Sequence, residues 1–157
     1  MNFHPIAVWL QNHGIGLFLR KSDPLFGVVL QNFHILGLVT LLAAVLLIDL
    51  RLLGLGLVNR PAPELARRLR PLFWLGAATV AASGVLMFVS DAVRYSGNDA
   101  LLVKLALLPV ALAFQLAVVG GAGTQARPRS LAAIAASAGS LFLWVSVGLA
   151  GRAIGFL

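Results

Sequence analysis

Residues 26 to 48 read FGVVLQNFHILGLVTLLAAVLLI, 23 positions without a single charged side chain. About 20 helical residues cross a hydrocarbon core of roughly 30 Å. The stretch shows no apolar–polar alternation, which a strand of a membrane barrel would need. It therefore reads as a membrane-spanning helix, and three further apolar runs repeat the pattern at Leu72–Val89, Leu101–Val119 and Leu131–Ala150. Turn-forming residues separate them: Gly54-Leu55-Gly56, Pro61-Ala62-Pro63, Ser96-Gly97-Asn98-Asp99 and Gly120-Gly121-Ala122-Gly123. Pro109 lies inside the third run and predicts a kink there.

Composition agrees. Of 157 residues, 60% are hydrophobic and 11% are charged, and mean hydropathy is +0.96. A soluble domain is about half apolar and a quarter charged. The expected fold is all-α, an integral membrane four-helix bundle forming one transmembrane domain over residues 1–157. The absence of cysteine removes disulfides, iron–sulfur clusters, thiolate zinc sites and cysteine nucleophiles. No cleavable signal peptide is visible, so the first span is expected to act as the insertion signal.

Residues 5–19 precede the first span. Pro5 to His13 is expected to form a short helix in the membrane interface, with Trp9 and Leu10 on one face and Gln11, Asn12 and His13 on another. Gly14 and Gly16 argue against one continuous helix through Leu19.

The net charge of +7 comes from 12 Lys and Arg against 5 Asp and Glu. These cations sit in short loops beside apolar runs, where they orient helices and meet anionic lipid. No nucleic-acid-binding signature accompanies them, so no nucleic acid partner is expected. The loop after the first span holds Arg51, Arg60, Arg67, Arg68 and Arg70, and Arg127 and Arg129 follow the third. Arg20, Lys21, Arg94, Lys104 and Arg152 lie on the other side. The positive-inside rule places the Arg-rich loops in the cytoplasm and both termini in the periplasm of a bacterial inner membrane. Glu64 to Arg70 is expected to be a separate short basic helix on the lipid surface.

Small residues dominate Gly76–Gly84 and Leu131–Ser140. Such residues let backbones approach closely in lipid, so the second and fourth spans are expected to touch through these stretches. Asp49, at the end of the first span, is expected to pair with Arg51, Arg68 or Arg70.

His34 is the residue most suggestive of chemistry. It lies about 12 Å into the first span at 1.5 Å per residue, and Gln31 and Gly37 are its one-turn neighbours. Ionisable groups at such depth mark functional sites by default. Histidine ligates haem iron, and Gly37 would leave room for a flat macrocycle. The competing reading is a neutral histidine hydrogen-bonded to a carbonyl or to a serine on another helix. His4 and His13 both precede the spans, so no second intramembrane histidine is available. Met87 is a candidate sixth ligand. Lys104 and Arg152 would pair with haem propionates or a quinone carbonyl, unless they simply snorkel to the interface. No H-E-x-x-H, P-loop or G-x-S-x-G context occurs, and no catalytic activity by this chain alone is expected.

Several local motifs carry a family resemblance. They are Phe33-His34-Ile35-Leu36-Gly37, Asp49-Leu50-Arg51-Leu52-Leu53-Gly54, Pro71, Lys104, Leu143-Trp144 and Gly151-Arg152-Ala153-Ile154, with Trp9-Leu10-Gln11 near the start. In these the chain resembles, over nearly its whole length, small bacterial four-span membrane proteins grouped only as a domain of unknown function. The resemblance implies a four-helix fold and no established activity. The chain also looks like small membrane b-type cytochromes and copper-resistance membrane domains, but lacks their second intramembrane histidine.

Two functions follow as expectations. In one, the protein is an accessory subunit holding a b-type haem or quinone at His34, with Gln31, Gly37, Lys104 and Arg152 around it. In the other, it is a structural subunit without a cofactor, packed against other membrane proteins or a second copy.

Overall fold

The computed structural model describes residues 4–57, 59–120 and 130–156. Two short helices, α1 (His4–Asn12) and α2 (Gly14–Lys21), lead into α3 (Pro24–Leu53). Then come α4 (Ala62–Ser90), the single turn α5 (Ala92–Tyr95), α6 (Asp99–Gly120) and α7 (Leu131–Ala153). Helices α3, α4, α6 and α7 are each long and apolar enough to cross a membrane, and no strand occurs among the described residues. The chain is an all-α integral membrane protein.

The helix ends follow local chemistry. Asp23 caps α3 by accepting from the Leu25 amide at 2.8 Å, with Pro24 in the first turn, where its missing N–H costs nothing. Gly54 ends α3 in the left-handed region at φ 70°, the conformation glycine enters without a Cβ penalty. Ser130 caps α7 by accepting from the Ala133 amide.

Helix α3 is 30 residues long, about 45 Å at 1.5 Å per residue, so it projects beyond the hydrocarbon core. The expected basic surface helix at Glu64–Arg70 is not separate: α4 runs unbroken from Ala62 through Pro71. Glu64 pairs with Arg68 at 2.9 Å and with Arg60 at 3.8 Å, supporting the first turns. Ala62 and Ala66 meanwhile pack on Ile48, Leu52, Val118 and Ala133. That burial continues the helix where Pro71 alone would have stopped it. Helix α6 likewise continues through Pro109.

The main seam joins α3 to α4. A Cβ on Gly76 would stand 2.6 Å from the Leu41 amide nitrogen and 2.8 Å from the Gly37 carbonyl, and one on Gly37 would stand 2.9 Å from Thr79 Cβ. Helix α7 packs on α6 and α3, with a Cβ on Gly139 falling 2.9 Å from the Phe114 ring. The expected seam between the second and fourth spans is therefore replaced. Each small-residue stretch is used, but α4 spends its stretch on α3, and α7 spends its own on α6 and α3. Leu41, Val45, Phe73, Ala111, Trp144 and Val147 close the middle of the bundle. Large apolar side chains such as Phe33, Leu36, Leu75, Val85, Leu105 and Phe142 face outward, as lipid contact requires.

The segments at the His34 end are tied together. Gln11 Oε1 accepts from the Val93 amide at 2.9 Å, joining α1 to α5. Asn98 donates to the Ile154 carbonyl at 3.3 Å. Helix α1 and the end of α7 thus lie on one side of the bundle.

Candidate functional site

His34 points from α3 toward α4. Its Nδ1 lies 2.9 Å from Ser83 Oγ, and Ser83 Oγ in turn donates to the Thr79 carbonyl. With the hydroxyl hydrogen on that carbonyl, the matching tautomer has Nδ1–H donating to Ser83. The Nε2 lone pair of the neutral imidazole is then left to accept a bond or a metal. Gly84 makes room for the ring: a Cβ there would lie 3.2 Å from His34 Cε1. The serine partner is the one the competing reading of His34 anticipated. The imidazole nonetheless also borders open space.

That space is a hollow of about 370 Å³ between α3, α4 and α6. Its walls are apolar: Leu41, Ala77, Val80, Ala81, Val85 and Phe88 on one side, and Leu101, Leu105, Leu108 and Leu112 on the other. His34 and Lys104 are its polar groups. A second hollow of about 220 Å³ shares His34, Gly84, Phe88, Leu101 and Lys104 with the first and adds Gln31, Met87, Tyr95, Gly151 and Ile154. It exists because α4 and α6 do not pack closely on each other, which leaves a lateral slot toward lipid. The Lys104 stem passes over Gly151, whose absent side chain makes room, with Nζ 3.4 Å from where a Cβ would stand. Among the described residues no carboxylate pairs with this ammonium.

Of the residues singled out in the sequence, His34, Lys104 and Gln31 come together around these hollows. Gly37 does not border them; its space is taken by Thr79 in the α3–α4 seam. Arg152 stands over the Phe156 ring at 4.7 Å and borders neither hollow. Met87 borders the smaller hollow, as His34 does. His13 stacks on Trp9 at 5.2 Å and bonds the Trp9 carbonyl, held within α1 and its end. Among the described residues, no three His, Cys, Asp or Glu side chains group as a metal site.

The sequence reading anticipated a serine partner for His34 without singling out Ser83, and it missed Tyr95 as part of the wall. The pair Ser83-Gly84 was the available signal, a hydroxyl beside a position with no side chain. Asp49 also departs from expectation. It bonds Ser140 at 2.7 Å rather than an arginine. Arg51 donates from Nε to the Arg60 carbonyl instead, because residues two apart on a helix point in different directions.

Chemically, the main hollow has almost wholly apolar walls, with His34 and Lys104 at the edge it shares with the smaller hollow. That is the usual composition of a small-molecule site, mostly apolar with few polar groups that fix orientation.

The model of a family of unknown function (DUF6644) matches residues 8–157. No curated protein and no solved structure matches the chain.

Proposed function

This chain belongs to DUF6644, a family of unknown function, and from that premise we propose that it is an accessory membrane subunit holding a quinone-type molecule beside His34. The observation that carries the reading is the lipid-open apolar hollow with His34 and Lys104 as its polar groups. A quinone carbonyl accepts hydrogen bonds, which Lys104 would supply. A quinol hydroxyl donates, and His34 Nε2 would receive it. The apolar walls suit the ring, and the slot between α4 and α6 suits an isoprenoid tail lying in the bilayer. Gln31 offers a further polar contact at the mouth. Electron transport would then be completed by partner membrane subunits.

A b-type haem is the second reading. Ser83 fixing Nδ1 favours it, since metal-bound histidines usually donate their other ring N–H to a partner. His34 Nε2 would be the axial ligand, Met87 the nearest candidate for a sixth, and Lys104 a propionate partner.

The test is purification in mild detergent, an absorption spectrum with and without dithionite, and chromatography of a solvent extract with redox detection. The expected result is co-purified quinone that is depleted in His34→Gln and Lys104→Met, both of which keep the helical fold. A Soret band lost in His34→Gln would replace the quinone with haem. Neither molecule in a folded protein would leave a structural subunit that packs on other membrane proteins or on itself.

The proposed setting is a bacterial inner membrane with both termini periplasmic, supported by the arginines around Glu64. Cysteines at Ala62 and Gly97 test it with an impermeant reagent. Labelling is expected at Gly97 alone in cells with a permeabilised outer membrane.

A further inference from the structure

Asp49 lies on α3 fifteen positions beyond His34, about 22 Å away along the helix. Its surroundings are separate from the proposed quinone site and stand whether or not that reading holds. The carboxyl group is wholly buried, as are Gln115 on α6 and Ser137 and Ser140 on α7.

Ser140 Oγ stands 2.7 Å from Asp49 Oδ2 and 2.7 Å from Gln115 Oε1. A serine hydroxyl has one hydrogen, so it cannot donate to both. The Gln115 amide cannot resolve the conflict by turning over. Trp144 Nε1, a donor only, lies 3.3 Å from Oε1, and a reversed amide would set two N–H groups against each other. With Asp49 ionised, one of the two short oxygen pairs would hold no hydrogen at all. Among the described residues no ion pair reaches Asp49: Arg60 and Arg68 pair with Glu64, and Arg51 is turned to the Arg60 carbonyl. Arg67 and Arg70 line a separate hollow between α4 and α6. On α6 and α7 the charged residues are Asp99, Lys104 and Arg152, all toward the His34 end.

We propose that Asp49, Ser140 and Gln115 form an intramembrane proton-binding site that holds Asp49 as the neutral acid. Each hydrogen is then used once. Asp49 Oδ2–H donates to Ser140 Oγ, Ser140 Oγ–H donates to Gln115 Oε1, and Trp144 Nε1–H donates to the same amide oxygen. An uncharged acid also escapes the penalty of a bare carboxylate in a low-dielectric interior. A second observation points the same way. Asp49 Oδ1, Gln115 Nε2 and Ser137 Oγ are buried without partners, as is Arg51 Nη1, whose side chain is held by the Arg60 carbonyl. With Asp49 neutral, Oδ1 is an uncharged carbonyl oxygen, which costs less to leave unpaired in the interior than a carboxylate oxygen.

The test is infrared spectroscopy of the protein in phosphatidylcholine vesicles at neutral pH, with aspartate carboxyl carbons labelled with carbon-13. The expected spectrum has one carboxylic acid carbonyl band above the amide I region. That band shifts with the isotope, moves down in deuterium oxide and is absent from Asp49→Asn. Asparagine is chosen because its amide still donates to Ser140, so the variant is expected to fold. Should it not fold, the combined variant Asp23→Asn, Asp91→Asn, Asp99→Asn leaves Asp49 as the one aspartate and must keep the band. The proposal is overturned if the labelled protein shows carboxylate bands alone, or if the acid band survives in Asp49→Asn.

Discussion

Helix α3 carries His34 and Asp49 fifteen positions apart, and the two sites are built in opposite ways. Around Asp49, α6 and α7 close in with serines and a glutamine, and the group is sealed. Around His34, α4 approaches through Ser83 and Gly84 but α6 stands off, and a hollow remains. Between them lies the Gly37–Gly76 crossing, where α3 and α4 meet backbone to backbone. Below this crossing α6 and α7 close on the Asp49 face of α3; above it α6 stands off from His34, while α4 and α6 part at both ends. One face of one helix can thus be core at one end and the wall of a cavity at the other. The deciding factor is the neighbouring helix, because lipid and protein interior are about equally apolar and hydrophobicity alone does not choose between them.

The sharpest way to break this contrast is at the crossing. Gly76→Leu forces a side chain onto the Leu41 backbone, and overpacking of this kind costs about 3 kcal/mol. A large fall in detergent melting temperature is expected. An unchanged melt would mean that the seam is loose and that the two halves do not differ in the way described. At the sealed end, Gln115→Leu removes the acceptor of both Ser140 and Trp144. Leaving buried donors unpaired costs about 2 kcal/mol, and the melt should fall by less than in the glycine variant.

The open end should respond in binding rather than in stability. Lys104→Met keeps the apolar stem and is expected to hold stability within about 0.5 kcal/mol. Loss of a hydrogen bond from a charged donor, about 1.5 kcal/mol or more, should weaken quinone retention about tenfold. Equal retention by the variant and the unmodified chain, read by titrating a short-chain quinone, would remove Lys104 from the site. The smallest effect on stability is expected from Ala81→Leu, which extends into the hollow beside His34. The melt should move by no more than about 0.5 kcal/mol, while the added side chain competes with any occupant. A strong destabilisation there would show that the space is already core.

The sites were legible in the sequence to different degrees. His34 stood out because it is the one histidine inside a span, and depth in hydrocarbon is counted along the chain. Lys104 stood out for the same reason. Ser83 did not, since a serine among alanines and glycines looks like any other small packing residue until its partner is known. Asp49 was noticed, but its partner was sought among nearby arginines. Ser140, which lies 91 positions away, became the partner because α7 brings it to the buried side of α3, while Arg51 is held by the Arg60 carbonyl and Arg68 by Glu64.

The sequence by itself determined the four spans, the all-α character and the single intramembrane histidine. Each of these depends on how many consecutive apolar residues a segment holds, and a bilayer reads that segment by segment. Only the tertiary structure decided which glycine crossing joins α3 to α4, which serine holds His34, and which hydroxyl meets Asp49. It also decided that α4 and α6 part to leave a hollow. Those outcomes depend on the rotation of each helix about its axis. Steric fit between small residues and a few buried hydrogen bonds set that rotation, and no linear pattern encodes either.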